Sequence, residues 1–495
     1  MNTRHIAAVL CLAHLVLWGG AFGLSFDTPR LDGAEQLAWS YALEGGYWKH
    51  PPFPTWVMHA LVTVFGPSAA ITYIAAQACV AMALFIAFLL GCEWMGPRRS
   101  LAALVLTSLV YFYNAGAEAF NHDLALLPLI AGSMWLSFRA MRTQSIALWT
   151  AAGVVAGLAL LTKYIAVLPL AALALAVALD TRARTRRNAL GAAAAAVAAM
   201  LVFAPHLAWL VRHDWQPLRY ASALSQALAG NRFAGIAAFT GAIAVRIVPA
   251  VVAGALALRH VPRAEDDTNA GNRRFLWIVG AGPLVLTLLY GLATGTVLPQ
   301  RWAVPALLLS GWLALDAWHG AIDDARWRKL LAIAVAGHLL LCIAATVVGP
   351  QVALARHAPG RTNFPAAAMA QAAHATWREH SAQPLRFVIA NSWLGGNLIA
   401  QRHEALAILP EADPNRAPWI PRDAAQRCGA LVLLEQTARA DRDPQVDADL
   451  LAFMAQAQAR GEWSLPWPGG GKDAPERARI AWGIIAPQPG ASCPL

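Results

Sequence analysis

The sequence predicts an α-helical polytopic membrane protein of about 11 transmembrane helices, followed by a C-terminal α/β domain on the outer, periplasmic face. Three observations predict it. The 495 residues are 58% hydrophobic and only 13% charged, against roughly a quarter charged in average globular usage. Charges are missing from whole stretches long enough to cross a bilayer, about 20 residues. Beyond residue 350 charge returns to ordinary density. With a mean hydropathy of +0.47, a soluble enzyme, a disordered chain and a disulfide-stapled miniprotein are excluded. A net charge of +10 and a pI near 9.7 would suggest nucleic acid in a soluble protein. Here arginine on the cytoplasmic side of a membrane explains them first.

The apolar runs cover 6–24, 68–92, 100–114, 122–141, 145–162, 164–181, 188–211, 236–258, 275–294, 303–320 and 329–349, eleven candidate spans. Arg4 ahead of the first run would also suit a signal peptide, but the run is long enough to cross and further spans follow it. With the N-terminus cytoplasmic, the inner loops hold Arg98, Arg99, Arg139, Arg142, Arg182, Arg184, Arg186, Arg187, Arg259, Arg263, Arg273, Arg274, Arg326, Arg328 and Lys329. The outer loops hold Arg30, Lys49, Lys163, Arg212, Arg219, Arg232 and Arg301. This bias sets the orientation, and an odd span count then places the tail outside. Residues 1–350 read as the membrane domain and 351–495 as a soluble extracytoplasmic domain.

The tail carries turns at 358–360 and 466–469, short buried strands at 385–390 and 430–434, and helical patterns at 364–380 and 444–460. Cys11, Cys79, Cys92 and Cys342 lie in apolar runs and read as core filler. Cys428 and Cys493 could pair in an oxidising compartment, which spacing alone does not decide.

The most informative segment is the first outer loop, 25–67, too long for a simple hairpin. It divides into a helix from Asp32, with Leu37, Trp39 and Tyr41 available for a membrane-facing side, and a second helix opening on Pro51 and Pro52. Glu35 stands one turn after Asp32, so both carboxylates can share a face. Between the helices lies Gly45-Gly46-Tyr47-Trp48-Lys49-His50, two aromatics and two potential cations on a glycine-hinged turn. Asp32 as a plain N-cap, Glu35 as a solvated residue and Lys49 as a lipid-phosphate contact stay open locally. Their combination in one outer loop favours function.

At these residues the chain resembles a known group. Asp32, Trp39-Ser40 and Gly46-Tyr47-Trp48-Lys49-His50-Pro51-Pro52 look like the first loop of GT-C membrane glycosyltransferases. The similarity is to the dolichyl-phosphate-mannose-protein mannosyltransferase-like superfamily, family 39/83 type, which includes bacterial aminoarabinose and galacturonic acid transferases acting on lipid A. It continues through Asn121-His122-Asp123, Gly157-Leu158-Ala159-Leu160-Leu161-Thr162-Lys163-Tyr164 and Arg301-Trp302-Ala303-Val304-Pro305, covering roughly 1–350.

The resemblance implies an enzyme of the bacterial inner membrane. It would take a sugar from a polyprenyl-phosphate donor and pass it to a lipid or protein acceptor outside, with membrane lipids and no nucleic acid as partners. It implies Asp32, Asp123 and Glu35 as the catalytic carboxylates, Asp32 as the base or the carboxylate that positions the nucleophile. Lys49, His50, Lys163, Tyr164 and Arg301 become the donor-phosphate contacts. Related lipid A transferases have lysine directly before the double proline, where this chain has His50. Its phosphate contact would therefore be either a protonated imidazole or a neutral N–H donor. Cofactor use is left open. Some relatives hold a divalent cation, magnesium or manganese, and Asp32 and Asp123, with Glu35, would be its ligands here. His206 and His213 are too separated to argue for zinc. Arg246, deep in the 236–258 run, sits where an arginine usually faces a partner or a polar cavity, and both donor phosphate and a structural ion pair stay open for it. With Pro249 it gives a transporter or lipid-linked sugar flippase a foothold as the alternative, against which stand the large first loop and the lack of visible repeats.

Overall fold

The computed structural model describes residues 2–227, 230–258, 270–318, 320–356, 360–404, 406–436, 444–468 and 477–493. Arg259, Arg263, the first two residues of the 358–360 turn and the last of the 466–469 turn lie outside them.

The chain runs through α1 (Thr3–Ser25), α2 (Leu31–Trp39), α3 (Phe53–Phe65), α4 (Ala69–Met95), α5 (Pro97–Ser108), α6 (His122–Thr143), α7 (Ile146–Leu160), α8 (Val167–Leu179) and α9 (Arg186–Arg212). It continues with α10 (Gln216–Ala227), α11 (Arg232–Ala257), α12 (Ala270–Thr294), α13 (Ala303–Ala306), α14 (Ser310–Trp318), α15 (Asp324–Ile343) and α16 (Gly349–Ala355). Every apolar run of the sequence contains helix. Among the described residues, seven helices are long and apolar enough to cross a membrane, and Ile146–Leu160 and Tyr164–Leu179 are shorter apolar ones. The protein is thus a multi-pass membrane protein.

Local chemistry sets the helix ends. Side chains of Ser68, Asn121, Ser145, Thr185 and Asn231 accept from first-turn backbone amides of α4, α6, α7, α9 and α11. Gly66 and Gly96, at φ 77° and 78°, end α3 and α4. Between α7 and α9 the backbones close up: a Cβ on Gly153 would lie 2.1 Å from the Ala195 carbonyl oxygen. In lipid such small-residue contacts carry helix association.

The loops assigned to one side by charge meet one another. Arg98 pairs with Asp324 at 2.5 Å, Arg182 donates to Asn272 at 2.7 Å, and Arg273 pairs with Asp316 at 2.9 Å and Arg142 with Glu93. The loops assigned to the other side converge at the opposite ends of the helices, where Arg30 pairs with Glu118 and Lys163 with Asp123.

The tail forms α17 (Ala366–His380), β1 (Phe387–Ala390), α18 (Ser392–Arg402), β2 (Ala407–Pro410), α19 (Ala424–Cys428), β3 (Ala430–Glu435), α20 (Pro444–Met454), β4 (Ala459–Pro466) and β5 (Arg477–Ile485). The sheet order is β2-β1-β3-β5-β4, parallel among the first three and antiparallel beyond. Alternation along each strand gives the sheet two buried faces. Phe387, Ile389, Val432 and Leu434 face a cluster with Leu450 and Met454. Val388, Leu431, Leu433 and Ile480 share one continuous core with Ala34, Leu37 and the membrane helices. Cys428 and Cys493 are disulfide-bonded.

Two readings are corrected here. The 444–460 helix stops at Met454 and the chain enters β4 at Ala459. Leu37 and Trp39, expected toward lipid, are 0% and 1% exposed, because α18 of the C-terminal domain covers α2. A Cβ on Gly396 would meet the Ala34 carbonyl oxygen at 2.1 Å.

Candidate functional site

The first loop folds as two short helices joined by a tight turn. Asp32 is not the N-cap of α2: Arg30 holds that position, and Asp32 lies in the first turn. Gly33 allows α2 to approach α4, since a Cβ there would sit 3.1 Å from Thr72. Thr55 Oγ1 donates to Gln36 Oε1 at 2.8 Å, tying α3 to α2. The turn closes through Tyr47 and His50, whose backbone amides donate to each other's carbonyls at 3.0 and 3.2 Å. The Tyr47 ring stacks on Trp39 at 4.9 Å. Trp209 packs so closely on the turn that a Cβ on Gly46 would lie 2.5 Å from its ring. His206 Nδ1 donates to the Gly45 carbonyl at 2.7 Å, which leaves Nε2 to accept from the Tyr164 hydroxyl at 2.9 Å.

These elements bring all eight residues singled out from the sequence to one cavity of about 300 Å³: Asp32, Glu35, Lys49, His50, Asp123, Lys163, Tyr164 and Arg301. Glu35 and Lys49 form an ion pair. Lys49 also lies over the Trp39 and Trp48 rings, 5.9 and 5.1 Å from their centroids. Asn121 caps α6, accepting from the amides of Asp123 and Leu124, each at 3.0 Å. Asp123 is thereby released from capping, and both its oxygens accept from Lys163 Nζ at 2.7 Å. Asn121 Nδ2 donates to Asp32 Oδ2 at 3.3 Å. His50 lies against His122, ring centroids 3.9 Å apart. Tyr220 of α10 forms the roof, edge-on to Trp48 at 4.9 Å. Ile165, Val167, Leu168 and Trp302 give one wall an apolar surface.

Burial pushes the Glu35 carboxyl up to about 7, against the pull of Lys49. Burial draws the Lys49 ammonium down, but Glu35 outweighs it and the net direction is up. His50 is held well below the usual imidazole value, first by burial and then by His122, Lys49, Lys163 and Arg301. Of the two forms open to His50, this direction favours the neutral one.

The carboxylates do not make a cation cage. Asp123 is taken up by Lys163 and Glu35 by Lys49. Among the described residues, no three His, Cys, Asp or Glu side chains converge as a metal ligand set. Asp32 and Asp123 thus do not fit a resident divalent ion, and no step below is routed through one.

Several functional neighbours escaped the sequence reading. His206, set aside as ordinary, fixes both Tyr164 and the glycine turn. His122 was noticed only as part of a motif. The C-terminal domain also reaches the loop: Arg416 lies over the Trp48 ring at 4.1 Å, and Trp419 meets Tyr47 edge-on at 5.6 Å. Nothing in the sequence signals such contacts across more than 350 residues. Arg246 stands over Tyr111 and Phe112, 5.7 and 5.3 Å from their centroids. It donates to Gln300 and lines a neighbouring hollow that shares Asn121, Asp123 and Arg301 with the main cavity.

Comparison with known proteins gives a consistent picture. A family model described as dolichyl-phosphate-mannose-protein mannosyltransferase matches residues 49–209. The chain is 28% identical over 475 residues to the lipopolysaccharide core galacturonosyltransferase RgtA of Rhizobium johnstonii, covering 88% of this chain and 89% of that protein. It is 26% identical over 332 residues to the lipid A galacturonosyltransferase RgtD of the same organism, covering 63% and 66%. The crystal structure of ArnT from Cupriavidus metallidurans bound to undecaprenyl phosphate superposes with a TM-score of 0.59 over 99% of this chain and all of that one, at 16% identity. That last likeness shows the fold. The relatives are transferases, so the transporter or flippase alternative falls away. Motifs, relatives along most of the chain and the shared fold agree that the chain is a membrane glycosyltransferase similar to the GT-C, dolichyl-phosphate-mannose-protein mannosyltransferase-like superfamily.

Proposed function

We propose that this chain transfers a uronic acid sugar from a polyprenyl-phosphate donor to a saccharide of the lipopolysaccharide core or lipid A, at the outer face of the bacterial inner membrane. The observation that carries it is the cavity itself. Three carboxylates (Asp32, Glu35, Asp123) and three cations (Lys49, Lys163, Arg301) from separate segments meet beside an apolar wall. A lipid-linked phosphate sugar needs both halves. The relatives' names supply the sugar and acceptor class.

In this reading the acceptor hydroxyl attacks the anomeric carbon of the donor sugar. Asp32 takes the hydroxyl proton as the new C–O bond forms. The bond from the anomeric carbon to the phosphate oxygen breaks, and its electron pair leaves with the polyprenyl phosphate. Asp32 suits the base because no lysine or arginine pairs with it among the described residues. Lys49, Lys163 and Arg301 face the charge that develops on the phosphate, where preorganised donors act most strongly. His50 and Tyr164 shape the phosphate end. Asp123 holds Lys163, and Glu35 holds Lys49.

The N-terminus is cytoplasmic in this proposal, residues 1–350 form the membrane domain, and 351–495 form a periplasmic domain over the site. The Cys428–Cys493 disulfide supports an oxidising compartment for that domain. The test is transfer in proteoliposomes holding a polyprenyl-phosphate uronic acid donor and lipopolysaccharide core or lipid A, read by mass spectrometry of the lipids. A uronosyl mass gain on the lipid is expected. Transfer to protein side chains instead, or no transfer from any polyprenyl-phosphate sugar, would overturn it.

A further inference from the structure

The cavity is rich in groups that donate and poor in groups left to accept. Asp123 has both oxygens on Lys163, Glu35 holds Lys49, and Asp32 faces the reacting hydroxyl. A sugar brings several hydroxyls, each with a hydrogen to place. One acceptor stands out. His122, in the first turn of α6, is 4% exposed, and its Nε2 is buried without a hydrogen-bond partner. The ring's other polar contact is the Pro51 backbone. Proline has no N–H, so the ring must donate there through Nδ1. Nε2 then carries the lone pair. Buried polar atoms are nearly always paired, and an unpaired one at a site calls for an explanation.

His50 fixes the ring from the other side, and its own backbone is locked by the Tyr47 bridge. Lys49, Lys163 and Arg301 surround the two imidazoles. His122 lines the same cavity as those cations, so a phosphate they hold leaves its sugar beside the ring.

We infer that His122 Nε2 accepts a hydrogen bond from a hydroxyl of the transferred sugar, so that His122, held in place by His50, reads the donor's sugar rather than its phosphate. This rests on the donor reading above. The test measures binding of the sugar-bearing donor and of bare polyprenyl phosphate to the purified full-length protein, to His122→Phe and to His122→Gln. Loss of one neutral hydrogen bond should weaken the sugar-bearing donor about 10-fold in His122→Phe. Bare polyprenyl phosphate should bind as before, which also shows that the variant folds. His122→Gln, which keeps an acceptor oxygen, should recover most of the loss. Equal loss of both lipids, no loss of either, or a defect seen only as a raised acceptor KM would overturn the inference. Failure of the unaltered protein to bind either lipid would instead sink the donor reading itself.

Discussion

Asp32→Asn separates chemistry from structure more sharply than any other single change. The carboxylate accepts only one side-chain hydrogen bond among the described contacts, from Asn121 at 3.3 Å. An asparagine keeps an oxygen for that bond, so the fold should lose less than about 1 kcal/mol. The base is lost outright. General base catalysis contributes about 10²–10⁴ in rate, or about 2.7–5.5 kcal/mol at the transition state. The contrast is Asp123→Asn. It leaves Lys163, whose side chain is 13% exposed, with only the more distant charge of Asp32, and breaking a buried pair in this way costs about 3–5 kcal/mol of stability. The assay is the initial rate of sugar transfer in proteoliposomes, with donor affinity and Tm measured on the same preparations. Asp32→Asn should lose kcat while keeping affinity and Tm, and Asp123→Asn should lose Tm as well. An Asp32→Asn protein that turns over at the unaltered rate would refute the assignment of Asp32.

Glu35 should give the site a pH dependence. Its carboxyl is raised from 4.5 to about 7 by burial, so the folded chain binds a proton there that the unfolded chain releases. The stability from that proton is fully present below 4.5 and lost as pH rises through about 7. As pH falls through about 7 the carboxyl neutralises and Lys49 is freed for phosphate, so sugar-bearing donor should bind more tightly in acid. Glu35→Gln should bind tightly at all pH, and an unchanged slope in that variant would count against the pairing. Cys428→Ser with Cys493→Ser opens a bridge across 65 residues and should cost about 4 kcal/mol by loop-closure entropy. Reductant should lower the Tm of the parent and leave the double variant unmoved. Gly396→Val drives a side chain into the Ala34 carbonyl, an overpacking cost of about 1–3 kcal/mol. It should displace α18 from α2 and lower both kcat and resistance to protease, whereas full activity would mean that the domain's seat does not set the site.

The helices were legible because a bilayer demands long uncharged runs, and their ends because caps such as Ser68 and Asn121 are local signals. The strands β1 and β3 announced themselves as apolar runs. β4 did not, because its burial alternates weakly and Gly461 interrupts it. The residues of the site were visible as charges in outer loops, but their pairing was not. Lys49 is one residue from His50, yet its partner is Glu35, fourteen positions earlier on another helix. Whether Asp123 capped α6 or faced the cavity depended on Asn121 winning the cap, which local propensity leaves open. The outward face assigned to Trp39 failed because the covering surface, α18, comes from far along the chain.

Those distant contacts explain why the site can exist at all. α2 has nine residues, too few to hold a helix alone in water. Its helicity is imposed by packing: Gly33 against Thr72, Gln36 against Thr55, and Ala34 beneath Gly396. The side left uncovered carries Asp32 and Glu35. The sharing of a face by the two carboxylates is thus a property of the assembled protein rather than of the loop. The formal charges around the cavity, three of each sign, cancel before the donor arrives. A polyprenyl-phosphate uronic acid donor adds two negative charges, one on its phosphodiester and one on its carboxylate, and its departing phosphate adds a third. Protonation of Glu35, poised near 7, offsets part of the added charge without moving the backbone, beside the proton that Asp32 takes from the acceptor. The Glu35–Lys49 pair is placed to tune product release as well as donor binding.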